Sequence, residues 1–128
     1  MSKRWMIAAG IFGFLGVAAG AFGTHTLRPI LEANSRLDTY QTAVQYLLIH
    51  AVALIGAAWA SERFPGRWTR LAGWGFIVGS LLFSGSLFVL ALFDLRFMGA
   101  VAPLGGAGFL AGWGLLVIGV WRWRDQSD

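Results

Sequence analysis

Few side chains in this sequence could do chemistry, and most of them fall in one stretch. Tyr40, Gln41, Thr42, Gln45, Tyr46 and His50 lie within eleven residues. Gln41 and Gln45 are one helical turn apart, as are Tyr46 and His50. Ser80, Ser84 and Ser86 form a second group, His25 follows Gly23-Thr24, and Pro103-Leu104-Gly105-Gly106 interrupts a later apolar run. Amides, hydroxyls and imidazoles suit uncharged hydrogen-bonded recognition. Catalysis lacks its parts. Ser84-Gly85-Ser86 is not a G-x-S-x-G elbow, no Asp or Glu lies within the runs that carry the histidines and serines, and cysteine is absent. No phosphate loop or zinc motif occurs. Two histidines raise haem or metal ligation, but without carboxylates or thiolates they make a poor set. The residues therefore point to a non-enzymatic protein with no catalytic residue, no metal and no cofactor.

The elements that must hold these groups are apolar helices. Residues 5–27, 39–61 and 71–93 each run 23 residues without Asp, Glu, Lys or Arg, and residues 97–121 run 25. These stretches hold 94 residues, and all 16 charged side chains sit in the other 34. About 20 apolar residues cross a bilayer as a helix. The pattern predicts an all-α integral membrane protein: a four-helix antiparallel transmembrane bundle with spans near 5–25, 40–60, 71–93 and 100–121. Residues 1–128 would form one transmembrane domain, with no room for a separate soluble one. Lys3-Arg4, an apolar run and Ala19-Gly20-Ala21 also match a secretory signal. Removing that segment would leave three spans with the termini on opposite sides, so it is read as the first span.

Orientation follows from the basic residues. Lys3, Arg4, Arg63, Arg67, Arg70, Arg122 and Arg124 flank one side of the spans, and Arg28, Arg36 and Arg96 the other. The positive-inside rule then predicts a multi-pass inner-membrane protein with both termini cytoplasmic. The net charge of +4 is divided among helix ends and forms no single stripe, so nucleic acid is not expected as a partner.

Small residues recur at helical spacing. Gly13, Gly16, Gly20 and Gly23 share a face in the first span, Gly79 and Gly85 lie in the third, and Gly108 and Gly112 in the fourth. In lipid, where hydrophobic burial cannot drive helix association, such faces let backbones approach. The prediction is close helix packing at these glycines, within the chain or in a homo-oligomer or larger membrane complex. The first outer link carries Pro29 and then Ile30, Leu31, Ala33 and Leu37 among polar residues, which fits a short amphipathic helix on the membrane surface. Asp38 or Thr39 would cap the second span, and Asp94 would pair with Arg96 or with solvent.

Depth brings the polar groups together. At 1.5 Å per residue His50 lies about 14 Å below the outer end of its span, and Ser84 about 12 Å below the end of its own. A hydrogen bond is expected from His50 to Ser84 or to a backbone carbonyl, with Gln45, Gln41 and Tyr46 continuing a polar track outward. His25 stays near the surface. The favoured function is a module binding membrane lipid or a small amphipathic ligand in an outward-facing polar pocket built from His25, Gln41, Gln45, Tyr46, His50, Ser84, Gly105 and Gly106. The alternatives are a structural or accessory subunit of a larger membrane complex, and a small transporter or proton channel using His50.

Four segments carry a resemblance. Gly20-Ala21-Phe22-Gly23-Thr24-His25-Thr26-Leu27, Thr42-Ala43-Val44-Gln45-Tyr46 with His50-Ala51, Leu82-Phe83-Ser84-Gly85-Ser86-Leu87, and Pro103-Leu104-Gly105-Gly106 with Gly112-Trp113 stand in order along the chain. Together they resemble the YgdD-like family of small membrane proteins, a domain family of unknown function (DUF 423) related to the eukaryotic transmembrane protein 256 family. Thr24 stands where that family commonly has alanine, and Phe88 where tyrosine is common, which removes a hydroxyl from the third span. The resemblance implies a bacterial inner-membrane protein of four helices. It implies that His25, Tyr46, His50, Ser84, Gly85, Pro103, Gly105 and Gly106 belong to the family pattern. It supplies no reaction.

Overall fold

A computed structural model describes residues 2–125 as five helices and their links. The first apolar stretch forms α1 (Ser2–Thr24) and the outer link folds into a short α2 (Arg28–Ala33). The remaining stretches form α3 (Leu37–Arg63), α4 (Arg67–Phe93) and α5 (Met98–Arg122). Helices α1, α3, α4 and α5 are long and apolar enough to cross a membrane. At 1.5 Å per residue the 27 residues of α3 and of α4 extend about 40 Å, so their ends reach past the hydrocarbon into the headgroup layers.

The spanning helices pack in series. Helix α1 packs on α3, α3 on α4 and α4 on α5, while no comparable contact joins α1 to α5. The central pair is correspondingly better covered: 44% of the apolar window is buried in α3 and in α4, against 22% in α1 and in α5. The widest contact, α4 with α5, rests on glycine. Gly75 faces the backbone of Gly112, Gly79 faces Gly108 and Phe109, and Gly112 receives the ring of Phe76. A β-carbon on Gly75 would stand 2.9 Å from the α-carbon of Gly112, so the two backbones are as close as side-chain-free residues allow. Gly105 abuts the backbone of Phe83 in the same seam.

The α1–α3 seam is looser and uses side chains. Gly23 admits the ring of Tyr40, a β-carbon on Gly20 would stand 3.4 Å from Val44, and Gly16 takes Leu48. Two expected packing glycines are corrected. Gly13 has nothing within 4 Å of where a β-carbon would stand. Gly85 also faces open space, because it lines a crevice between α1 and α4, which are not close-packed partners.

The link between α1 and α3 docks more than it floats. Pro29 sits in the first turn of α2, and Leu31 is wholly buried beside Tyr40 and Ala91. Asn34 donates to the carbonyls of Ala91 at 3.0 Å and Leu92 at 3.3 Å, which satisfies acceptors left open at the end of α4. Helix α3 begins at Leu37 with Arg36 in the capping position and no side-chain cap, so neither Asp38 nor Thr39 takes that role. Asp94 ends α4 in the left-handed region (φ 52°) and pairs with Arg36 at 3.5 Å, not with Arg96. The link-to-link ion pair ties the two outer turns together.

Candidate functional site

The expected single polar pocket is divided between two sides of α3. Depth along a helix places residues in a layer, but each residue also turns about 100° from the last. Gln45 and Tyr46 are neighbours in sequence and therefore open toward different partners.

Gln41 and Gln45 face α1. With Gly20, Gly23, Thr24, Arg28 and Tyr40 they line a groove of about 450 Å³ at the end of the α1–α3 seam away from the N-terminus. The glycines leave its α1 wall without side chains. Thr24 Oγ1 donates to the carbonyl of Gly20 at 3.0 Å, and the Tyr40 hydroxyl donates to the carbonyl of Ala19, so both hydroxyls close polar backbone at the rim. Arg28 stands at the mouth, half its side chain exposed, paired with Glu32 at 2.8 Å. Both glutamines are exposed. Gln41 lies about 6 Å and Gln45 about 12 Å along α3 from Leu37, so their amides descend from the interface into the depth of the acyl region.

Tyr46 and His50 face α5. They line a second groove of about 510 Å³ with Phe83, Pro103, Gly106, Phe109, Leu110 and Trp113. Here α3 and α5 are held by side chains alone. His50 is buried and stacks on Phe109, ring centroids 3.6 Å apart and planes within 9°. Trp113 Nε1 donates to His50 Nε2 at 3.1 Å. Indole is a donor only, so Nε2 accepts and Nδ1 carries the proton that goes to the carbonyl of Tyr46 at 2.8 Å. The imidazole is thus neutral with both nitrogens engaged, and it has no lone pair to offer a haem iron or metal.

Ser84 does not pair with His50. Its hydroxyl is turned to the other side of α4 and donates to the carbonyl of Ala43 at 2.8 Å, a buried bond between α4 and α3. The backbone-carbonyl alternative for His50 is the one found. Gly105 cannot line a pocket, because the backbone of Phe83 fills the space beside it; Gly106 lines the second groove. His25 stands exposed in the turn after α1 and lines neither groove. Helix α5 continues unbroken through Pro103-Leu104-Gly105-Gly106, with Pro103 withholding an N–H only from its first turns.

Sequence reasoning missed Arg28 and Trp113. Arg28 had been counted only for orientation. Trp113 carried a usable signal: unlike Trp5, Trp68, Trp121 and Trp123 it lies far from the span ends, and an indole N–H at such depth needs an acceptor.

Residues 19–106 match the family described as protein of unknown function, DUF423. The UPF0382 inner membrane protein YgdD of Escherichia coli K12 is 42% identical over 128 residues, covering 99% of this chain and 97% of that protein. The chain belongs to the DUF423 family. Other relatives are the UPF0382 membrane protein YwdK of Bacillus subtilis, 35% identical over 91% of this chain and 94% of its own, and a UPF0382 membrane protein of Haemophilus influenzae, 34% identical over 95% and 97%. No solved structure matches the chain. The protein is therefore an integral membrane protein of a family with an inner-membrane member, and neither the family's description nor these relatives' names carry an enzymatic activity.

Proposed function

We propose that the protein is a non-enzymatic module of the inner membrane that seats a phospholipid in the α1–α3 groove. The observation that carries this reading is the pair Gln41 and Gln45, exposed amides descending from Arg28 along one side of α3. Uncharged polar groups facing hydrocarbon are costly unless they find partners. A phospholipid supplies them in the matching vertical order. Its phosphate sits at the interface, within reach of Arg28, and its ester carbonyls lie just below, where glutamine amides donate. Gly20 and Gly23 leave the wall smooth enough for the glycerol and the upper acyl chain.

The same reading places both termini in the cytoplasm and the groove in the outer leaflet. Along the sequence, seven basic and three acidic residues fall in the segments on the side of the termini, whereas the other links hold three of each. The whole net charge therefore belongs to one face, the one the positive-inside rule assigns to the cytoplasm.

Native mass spectrometry of detergent-purified protein tests the groove. Wild type is expected to retain one phospholipid, and Gln41→Leu/Gln45→Leu at least several-fold less. Both substitutions fall on exposed positions, so the fold should be kept. Equal retention by the two proteins would overturn the proposal.

A further inference from the structure

The groove between α3 and α5 is walled by rings from three helices. Tyr46 and His50 come from α3, Phe83 from α4, and Phe109 and Trp113 from α5. The rings hold one another in place. The centroid of Tyr46 lies 4.7 Å from that of Phe83, Phe83 lies 5.4 Å from Phe109, and Phe109 stacks on His50. Trp113 is fixed by its bond to His50 and by an edge-on contact with Phe76 at 4.9 Å. Gly106 leaves the α5 wall open, since a β-carbon there would meet nothing within 4 Å. Tyr46 and Trp113 are 39% and 43% exposed, so the groove presents ring surface to whatever enters it.

Depth and one hydroxyl specify the occupant. Trp113 lies about 14 Å from the nearer end of α5, and Tyr46 about 13 Å along α3 from Leu37, so both stand within the hydrocarbon. Exposed indoles favour the headgroup layer. Trp113 is deeper and gives its only donor to the buried His50, so what it offers the groove is ring. The Tyr46 hydroxyl has no hydrogen-bond partner among the described residues; its contacts are the neighbouring rings and, through its backbone carbonyl, His50. A hydroxyl left unpaired in hydrocarbon is costly. An acyl chain would fill the groove and leave that hydroxyl unpaired. No Asp, Glu, Lys or Arg lines the groove, so a charged headgroup would find no counter-ion. A flat, uncharged ring that carries a carbonyl and dissolves in the membrane meets all of these conditions, and about 510 Å³ is within the range of small-ligand sites.

We propose that the α3–α5 groove binds the head of a prenylated quinone, with its ring along Tyr46 and Trp113 and one carbonyl accepting from the Tyr46 hydroxyl. Both nitrogens of His50 are already engaged, so the site holds the quinone and supplies it no proton. It lies on the other side of α3 from the α1–α3 groove and stands or falls independently of the phospholipid placed there.

Thermal unfolding of the full-length protein in detergent micelles tests this, with a decyl-substituted benzoquinone as the probe. Saturating probe is expected to raise Tm by roughly 3 °C or more. Methyl decanoate, a carbonyl without a ring, and decylbenzene, a ring without an acceptor, should each give less than half of that rise. Tyr46→Phe keeps the ring and should weaken quinone binding by about five- to tenfold. Gly106→Leu fills the groove from an open position and should abolish the response. The Tyr46 variant, a change at an exposed hydroxyl, keeps the test open if the leucine variant fails to fold. Gln41→Leu/Gln45→Leu should bind the probe as wild type does. No rise with the quinone would overturn the proposal, and so would an equal rise with either control compound, which would show general partition. Wild-type affinity in Tyr46→Phe or in Gly106→Leu would overturn it as well, and loss in the glutamine pair would place the probe in the other groove.

Discussion

The chemistry of His50 is decided by three neighbours. Phe109 covers one face, Trp113 donates to one nitrogen and the Tyr46 carbonyl takes the proton of the other. A histidine so enclosed works as a polar pin between α3 and α5, which otherwise have little in common. His50→Ala should cost roughly 2–4 kcal/mol, from the lost ring packing and the orphaned indole N–H. Trp113→Phe removes the hydrogen bond and part of the ring packed on His50 and Phe76, and should cost about 1–3 kcal/mol. Unfolding titrations in mixed detergent micelles would check both; a negligible effect of His50→Ala would contradict the pin. Gly105 and Gly106 make a sharper contrast. Alanine at Gly105 would press on the backbone of Phe83, which cannot turn aside, and should cost about 1–3 kcal/mol or more. Alanine at Gly106 meets nothing and should be neutral or gain up to about 1 kcal/mol of helix propensity. The same titration should separate these adjacent substitutions in sign.

Among the elements, α2 shows what the sequence could and could not convey. Its existence was legible from Pro29 and the apolar positions after it. Its target was not. Leu31 reads equally well as a residue dipping into lipid or into protein, because both are apolar, and only the tertiary position of Ala91 and Tyr40 decides. Asn34 likewise gives no sign in sequence that two carbonyls 57 and 58 residues later will need it. Asn34→Ala should cost about 1 kcal/mol and raise hydrogen exchange in residues 28–36 and at the end of α4 together. Exchange rising in only one of the two would show that they are not coupled. The spans were legible because charge is excluded from hydrocarbon, whichever residues do the packing. Their sidedness was not: aligning Gln41, Gln45, Tyr46 and His50 by depth ignored the 100° step that divides them between α1 and α5. Glycine spacing marked the faces well where the partner is also glycine, as at Gly79 and Gly108. It failed at Gly13, which meets no neighbour.

For the molecule as a whole, charge and packing run along different axes. Charge distinguishes the two ends: the outer end is balanced, with Arg28–Glu32 and Arg36–Asp94 among its pairs, and the end with the termini is basic. Fusion of a fluorescent protein to the C-terminus should therefore give a folded, fluorescent product in bacterial cells, and fusion of alkaline phosphatase there should be inactive. The reverse pattern would contradict the proposed orientation. Packing distinguishes the flanks. Because α1 and α5 do not close the bundle, each side of the α3–α4 pair keeps a recess: the aromatic groove between α3 and α5, and an apolar crevice of about 280 Å³ between α1 and α4 that reaches the buried, unpartnered hydroxyl of Ser80.

The serial packing also makes the chain divisible. Contacts inside α1–α3 and inside α4–α5 are both more extensive than those joining α3 to α4, and the two pairs are connected through the exposed Pro65-Gly66 turn. Each half holds a near-complete antiparallel pair, so a gene cut at that turn should still yield two fragments that insert separately and find each other in the bilayer.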